Sequence, residues 1–581
     1  MIPRAEHPNP QFERSEWLNL NGTWEFEIDK SVSGKAKRFF ERAHLGGSIT
    51  VPFCPESKLS GVGETDFLNC VWYRRDIEIP EEWQDGRILL HFGAVDHTAT
   101  VYLDGKEIFT HKGGYSSFSI DITPYIGSGK VSLCVCAVDD CRDTRYGSGK
   151  QSMEYASYGC FYTRVTGIWQ TVWLEHVPEC YIRAIRLTPD VDNAALLVEA
   201  EVVGSGTLCA SAFYEGENVG SLSLHHTHGT HVRGTLPLSA LHLWELGCGR
   251  LYDLELSFGK DRVRSYFGMR DIAFDGYRFL LNGKSVFQRL VLDQGYYPDG
   301  LYTAPTEEDL VKDIQLSLNV GFNGARLHQK VFEPRFLYHC DKMGYMIWGE
   351  YGSWGLREDS LEILPPLIAE WREIVERDYN HPALVGWCPL NEVWPGAHKS
   401  IPNYDVLRSI YHLTKCLDPI RPCIDSSGGY HTECTDLYDI HDYVQDPVIF
   451  AEMFGNPDAK EMLQAWRTHH RSMTATRTGD YTEAQPIFVS EYGGIKWDVN
   501  SGIEKAWGYG NAPKTEEEFK SRYKGLTDVL LDNPSLFGFC YTQLYDVEQE
   551  VNGLYTYDRR PKFEDMEFFR KVNTRKAMIE K

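Results

Sequence analysis

The sequence has no long apolar run. Its first residues, "MIPRAEHPNPQFERSEW", contain no stretch like the apolar core of a secretory signal, and no later segment approaches the length that spans a bilayer. We therefore predict a protein without a membrane partner.

Basic residues are scarce relative to acidic ones. The chain has 59 Lys and Arg against 83 Asp and Glu, a formal net charge of −24. Such a surface repels phosphate groups, so nucleic acids and anionic membranes are excluded as expected partners.

Paired cysteine motifs are also missing. The 15 cysteines are an odd number, scattered through strand-like runs such as "VSLCVCAV", with no CxxC pair and no Cys/His spacing typical of a metal site. This usage predicts buried free thiols in a reducing compartment, and we expect a cytoplasmic protein.

Short alternating runs fill the first 272 residues. "TATVYLDGKEIF" carries an Asp-Gly hairpin signal, and similar runs recur between Gly, Asp and Pro turns. Strands at this spacing predict a β jelly-roll sandwich over residues 1–177. Residues 178–272 continue the pattern at the size of an immunoglobulin-like β-sandwich.

From residue 273 the pattern changes to alternating strands and helices. Eight strands in about 300 residues are the number expected of a (β/α)₈ TIM barrel, which we place at 273–581. The strands are predicted at 287–295, 322–328, 345–351, 384–392, 421–427, 436–443, 486–494 and 536–546. The connection 444–485 is long, and the pattern places no element within it.

Two glutamates end predicted barrel strands. Glu392, in "WCPLNEVWPG", ends the fourth strand, and Glu491, in "IFVSEYGG", ends the seventh. Active sites of such barrels form where the carboxyl ends of the strands meet, so both side chains should face one cavity. Two facing carboxylates are what glycoside hydrolysis requires. A structural role as helix cap and ion-pair partner is the alternative, which a pair at apolar strand ends disfavours.

The neighbours of the two glutamates suggest different charge states. The apolar side chains beside Glu392 should raise its pKa and favour the protonated acid. The hydroxyls of Ser490 and Tyr492 are expected to keep Glu491 ionised.

Several segments carry a family resemblance along the whole chain. They are "GIWQTVWLE" (167–175), "GFNGARLH" (321–328), "RDYNHPALVGWCPLNE" (377–392), "FVSEYGG" (488–494) and "YTYDRRPK" (555–562). In order and spacing they resemble glycoside hydrolase family 2, the β-galactosidase and β-glucuronidase family.

The resemblance implies a retaining exo-β-glycosidase that acts on a small glycoside or oligosaccharide. Glu392 would be the general acid/base, Glu491 the nucleophile that forms a glycosyl-enzyme, and Asn391 a partner of the sugar 2-OH. No cofactor is implied, and we expect a homo-oligomer, as family members often assemble.

Departures from the family pattern bear on the sugar and on metals. The Glu-x-His magnesium ligands of some large β-galactosidases are missing after "YMIWGEYGSWG", so we predict no metal. Glu550 and Asn552 stand where glucuronidases carry an Asn-x-Lys clamp for the sugar carboxylate. These departures put a neutral β-galactoside first. A β-hexuronide, either galacturonide or glucuronide, is the alternative, and a non-catalytic carbohydrate-binding protein comes third.

Further residues are candidates for sugar contact. "RLHQK" keeps the family's Arg326 but moves His328 one position early and adds Lys330, which with Arg326 could bind a carboxylate. A structural role for Lys330 is the favoured alternative. The resemblance puts Tyr443 against the nucleophile. The other candidates, each with a structural or packing alternative, are Glu350, Tyr541 and Trp497.

Overall fold

The structure is a computed structural model. It describes residues 2–83, 85–127, 129–394, 401–470, 481–482, 485–499, 502 and 505–581. Within these ranges no helix is long and apolar enough to cross a membrane. All fifteen cysteines are free thiols, as predicted, but only nine of them are buried; four are half-buried, and Cys248 and Cys416 are exposed.

The front domain is a sandwich of two antiparallel sheets. The four-stranded sheet consists, in spatial order, of Trp17–Asn19, Val172–Val177, Arg87–Phe92 and Phe118–Asp121. The six-stranded sheet consists of Gly47–Val51, Gly22–Ile28, Cys70–Glu78, Lys130–Val138, Thr98–Leu103 and Lys106–Lys112. A small pair, Val95–Asp96 with Gly167–Ile168, lies beside them. The predicted Asp-Gly hairpin is present, with φ of 47° at Asp104 and 76° at Gly105.

The second domain is a smaller antiparallel sandwich of seven strands, the number found in an immunoglobulin-like domain. One sheet consists of Tyr181–Asp190, Ala195–Val203 and His231–Pro237. The other consists of Glu217–His226, Gly206–Tyr214, Tyr252–Phe258 and Asp261–Phe267. Burial alternates along these strands, so one face of each sheet forms the core. A short sheet of Ile272–Asp275, Arg278–Leu281 and Lys284–Ser285 leads into the last domain.

The last domain is the TIM barrel. Its regular strands are Gln288–Asp293, Gly324–Leu327, Met346–Glu350, Leu384–Cys388, Tyr438–Asp442, Ile487–Gly493 and Leu536–Thr542, all parallel to their neighbours. We number them barrel strands 1 to 4 and 6 to 8. The predicted fifth strand makes only two isolated parallel bridges with the fourth in the described residues, Trp387 to Cys423 and Asn391 to Ser427.

Helices surround the barrel. They are Glu307–Asn319, Pro334–Met343, Leu364–Asp378, Tyr404–Leu417, Pro447–Phe454, Ala459–His469, Glu516–Asp532 and Glu567–Asn573. Thr306 and Asp309 form a capping box at the first, and Gly344, at φ 64°, ends the second. Two of the helices occupy the 444–485 connection, which the sequence pattern left unassigned.

Buried polar contacts hold the front domain against the barrel. The Tyr115 amide donates to Glu370 Oε1 at 2.8 Å, and the Arg4 guanidinium pairs with Glu333 at 2.6 Å. Because these partners belong to barrel helices or their caps, the front sandwich has a fixed position beside the barrel mouth.

Candidate active site

The two glutamates meet in one cavity. Glu392 follows barrel strand 4 and Glu491 lies in barrel strand 7. Their carboxylates and the His441 imidazole each offer an atom within 4.8 Å of the others. The convergence predicted from strand ends is therefore present. A spacing of roughly 5–5.5 Å between carboxyl groups suits direct attack on an anomeric carbon, whereas a wider gap leaves room for water.

Glu392 is held in an unusual backbone conformation. Its φ is 55°, in the left-handed region that non-glycine residues seldom adopt. Its amide donates to the Ser427 carbonyl at 2.7 Å, which fixes the turn against the fifth segment. Its carboxylate lies 2.9 Å from His441 Nδ1. Strained conformations of this kind cluster at functional sites, and here the strain turns a carboxylate into the barrel mouth.

Glu491 is held by residues distant from it in the sequence, and His328 Nδ1 lies 3.8 Å from its Oε1. Arg326 Nη1 donates to Oε1 at 3.1 Å, Tyr443 donates its hydroxyl hydrogen to Oε2, and His441 Nδ1 lies 3.4 Å from Oε2. The Tyr443 contact is the one that the family resemblance implies.

The expectation that Ser490 and Tyr492 support Glu491 is wrong. Ser490 donates to Asp439, and the Tyr492 hydroxyl lies 2.8 Å from that of Thr527 on a surrounding helix. Successive residues of a strand point to opposite faces, so the neighbours of an inward carboxylate turn away from it.

His441 bridges the pair. Burial alone would lower its pKa, but the charges of Glu491 and Glu392 outweigh burial and raise it. A protonated imidazole between two carboxylates reduces their mutual repulsion.

A buried ion pair lies behind Glu491. Arg326 Nη2 is 2.7 Å from Glu350 Oε2, and His328 Nδ1 is 3.0 Å from Glu350 Oε1. Burial lowers the pKa of His328 well below its usual value, so the ring is neutral and donates Nδ1–H. Burial also raises the pKa of Glu350, against the opposing effect of Arg326. Of the two roles considered for Glu350, the geometry favours support of Arg326.

The side-chain amide of Asn391 is held in place but has a donor nitrogen without a partner in the described residues. Its Oδ1 accepts from Arg326 at 3.1 Å, and its amide N–H donates to Ser353 Oγ at 3.0 Å. Its buried Nδ2 has no acceptor within the described part of the chain. Because unsatisfied buried donors are rare, this amide is suited to a ligand hydroxyl.

Lys330 does not join Arg326. Its ammonium donates to the carbonyls of Gly295 at 2.5 Å and Tyr302 at 2.8 Å. Burial lowers its pKa to about 7. The role of Lys330 is therefore structural, because its ammonium links its own loop to the loop that carries both carbonyls. It differs from the structural role that we expected, since the side chain neither faces solvent nor caps a helix.

Tyr541 and Trp497 belong to the core. The Tyr541 ring is fully buried, 4.8 Å from that of Tyr523 on a surrounding helix. Trp497 stacks on Phe563 at 6.3 Å beneath its loop. For both residues the structure favours packing over a sugar floor.

Two residues at the barrel mouth, Tyr509 and Lys150, were not predicted from the sequence. Tyr509 stacks on Tyr443 with centroids 3.4 Å apart. Lys150, from the front domain, places Nζ 3.9 Å from the centroid of the Trp354 ring. The only signal was the composition of their loops: "GSGK" around Lys150, and a long Gly- and Trp-rich loop around Tyr509.

The site has donor atoms that could hold a metal. Two carboxylates and an imidazole within 4.8 Å are a plausible ligand set. However, Arg326 and Tyr443 already occupy both oxygens of Glu491, and a guanidinium beside a ligand opposes cation binding. The absence of a metal stays a prediction.

Comparison with known proteins identifies the family. Residues 64–178 match the family model described as "Glycosyl hydrolases family 2, sugar binding domain", and residues 275–574 match "Glycosyl hydrolases family 2, TIM barrel domain". The chain belongs to glycosyl hydrolase family 2. It is therefore a glycoside hydrolase, and the non-catalytic alternative is not supported.

Two relatives that this chain resembles are β-glucuronidases. A β-glucuronidase of Streptococcus agalactiae is 24% identical over 94% of both chains. A β-glucuronidase of Felis catus is 26% identical over 84% of this chain and 78% of its own.

Solved structures share the fold. A β-glucuronidase from an uncultured Clostridium aligns with a TM-score of 0.78 at 22% identity, over 98% of this chain and 100% of its own. The Ruminococcus gnavus β-glucuronidase in complex with D-glucuronic acid gives 0.76 at 20% identity, with the same coverage of each chain.

Proposed function

We propose that this family 2 enzyme is an exo-acting, retaining β-hexuronidase. It would release a terminal β-linked uronic acid from a small glycoside or oligosaccharide. The observation that carries the retaining reaction is the meeting of two carboxylates, whose nearest oxygens lie within 4.8 Å. The names of the relatives support the uronic acid, and they favour the hexuronide alternative over the galactoside that the sequence put first.

Each glutamate has a distinct role in this proposal. Glu491, held by Arg326 and Tyr443, attacks the anomeric carbon and forms a glycosyl-enzyme. Glu392 gives its proton to the leaving oxygen and then removes one from the incoming water. Asn391 donates Nδ2–H to the sugar 2-OH.

The remaining site residues act through the nucleophile. Arg326 offsets the charge of Glu491, and Glu350 and His328 hold Arg326 in place. We assign these two a positioning role, since both contact groups behind the carboxylate pair.

A β-galactosidase is the second candidate, and one observation favours it. The clamp position holds the acid Glu550, bonded to Asn552 at 2.9 Å, where glucuronidases are expected to offer a cation. A neutral sugar would hydrogen-bond to such a carboxyl group.

A panel of 4-nitrophenyl glycosides tests the proposal. We expect turnover of the β-glucuronide or β-galacturonide with kcat/KM well above that of the β-galactoside and β-glucoside. Turnover of the neutral glycosides alone would contradict it and promote the second candidate.

The nucleophile can be tested separately. We expect Glu491→Gln to abolish turnover, and azide to restore part of it in Glu491→Gly with an inverted glycosyl azide as product. An azide product of retained configuration would contradict the assignment.

A further inference from the structure

One loop of the front domain is pressed against the barrel mouth. Gly149 donates its amide to the Gly352 carbonyl at 3.1 Å. A Cβ on Gly147 would lie 2.2 Å from that same carbonyl oxygen, and one on Gly149 would lie 2.3 Å from the Gln329 carbonyl oxygen. Only glycine allows so close an approach, so the two glycines fix the backbone on the turns after barrel strands 2 and 3.

The next residue, Lys150, is a buried cation. It is 6% exposed, with its Nζ over the face of the Trp354 ring. Within the described residues its ammonium makes no hydrogen bond and no ion pair at 4 Å or less. Apart from the Trp354 ring, the charge has no partner in the described residues. A cation held out of water with so little compensation is costly, so a site that keeps one is suited to receive an anion.

The ammonium lies within electrostatic range of both catalytic candidates, on a loop that packs against the barrel mouth. Burial lowers the pKa of Lys150, but the effect of nearby acidic groups is larger, and the net result is a pKa above the usual value of lysine. The side chain is therefore charged. The acidic groups are Cys160, Glu550, Glu491 and Glu392.

Within the described residues, two other buried cations of the barrel, Arg326 and Lys330, already have partners. Arg326 is occupied by Glu350 and Glu491, and Lys330 by two carbonyls. In the part of the chain that the structure describes, Lys150 is the cation left near the glutamate pair.

The position of the missing clamp is filled by an acid that has its own partners. Tyr162 donates its hydroxyl hydrogen to Glu550 Oε2, and Asn552 donates Nδ2–H to Oε1. Burial raises the pKa of Glu550, which reduces the repulsion that a sugar carboxylate would meet there. Because both oxygens of Glu550 have hydrogen-bond donors, this residue can lie beside a bound carboxylate if another residue supplies the positive charge.

We propose that Lys150 of the front domain binds the C6 carboxylate of the terminal uronic acid, in place of a clamp on the barrel. This assignment rests on the proposed hexuronidase function. It makes Lys150 a specificity-determining residue for an acidic sugar, with its ammonium donating to the carboxylate beside the Trp354 ring.

The variant Lys150→Met tests the assignment, because methionine keeps length and packing but removes the charge. We expect kcat/KM for 4-nitrophenyl β-glucuronide and β-galacturonide to fall about 10- to 150-fold, the effect of one hydrogen bond to a charged group. Activity on the matching neutral β-glucoside and β-galactoside should stay level or rise. Lys330→Met, which removes a buried lysine away from the glutamates, is the matched control and should keep the preference of the wild type.

The outcomes separate the two proposals. If the wild type cleaves no uronide, the hexuronidase function fails, and the role of Lys150 fails with it. If the wild type cleaves uronides, two results would overturn the Lys150 assignment and leave the proposed function standing. In the first, Lys150→Met lowers kcat/KM equally for acidic and neutral substrates. In the second, it lowers kcat/KM for neither. Activity on the neutral glycoside also reports that the variant is folded.

Discussion

Gly428 lies directly against the imidazole of His441. A Cβ at this glycine would be 2.1 Å from the ring, and its φ is 61°. The ring that bridges the two catalytic candidates therefore depends on the missing side chain of a residue on the fifth barrel segment.

We expect Gly428→Ala to displace His441 and to lower kcat by at least about 10-fold, because a shift of the imidazole disturbs both carboxylates. Gly276→Ala is the matched control. Its φ is 57° and nothing lies within 4 Å of the added Cβ, so it carries the same backbone penalty without the clash. Equal activity in both variants would contradict the role of this contact.

Tyr443→Phe should lower kcat by about 10- to 150-fold with little change in KM, because hydrogen bonds to charged groups contribute about 1.5–3 kcal/mol. The variant keeps the ring that stacks on Tyr509 and removes the hydroxyl that donates to Glu491 and lies 3.2 Å from Thr542 Oγ1. Tyr492→Phe, which loses a hydroxyl directed at Thr527, should retain nearly full activity. Steady-state kinetics on the preferred nitrophenyl substrate separates the two.

Glu392→Gln should slow alkyl glycosides far more than dinitrophenyl glycosides. General-acid help contributes about 10²- to 10⁴-fold where the leaving group is poor and much less where it is good. Glu491→Gln, by comparison, should affect both substrate types alike. A uniform loss across leaving groups in Glu392→Gln would contradict its assignment as the acid.

Lys330 should make stability depend on pH. Its pKa falls from 10.5 to about 7 on folding because of burial. Between these values the unfolded chain binds a proton that the folded chain does not, so stability rises as pH increases through this window. The melting temperature of the wild type, relative to Lys330→Met, should therefore increase from pH 7 to pH 10. A constant difference would show that the ammonium stays charged in the fold.

Most strands and helices could be predicted from the sequence because the patterns that indicate them involve residues close together in the chain. The Asp-Gly hairpin, the Thr306 capping box and the glycine at position 344 depend on residues a few positions apart. The seven regular barrel strands follow from short apolar runs. The fifth was predicted as a full strand but forms only isolated bridges, and Pro422 lacks the N–H that a continuous ladder needs.

The glutamate pair was predictable and its surroundings were not. Glu392 and Glu491 end strands whose direction follows from the barrel, so their meeting required no side-chain detail. The direction of the Lys330 side chain depends on carbonyl groups 35 and 28 residues away in the chain. The position of Lys150 at the mouth depends on packing against segments about 180 residues away. No periodic pattern encodes such a contact.

The glycine loop that rests on the barrel makes the front domain one wall of the reaction chamber. A barrel expressed alone would keep its pair of glutamates but would lack that wall, and it would expose the apolar surface that Tyr115, Tyr162 and Trp169 of the front domain cover. Substitutions in the front domain could thus change which sugars the enzyme accepts without altering the residues that carry out the reaction.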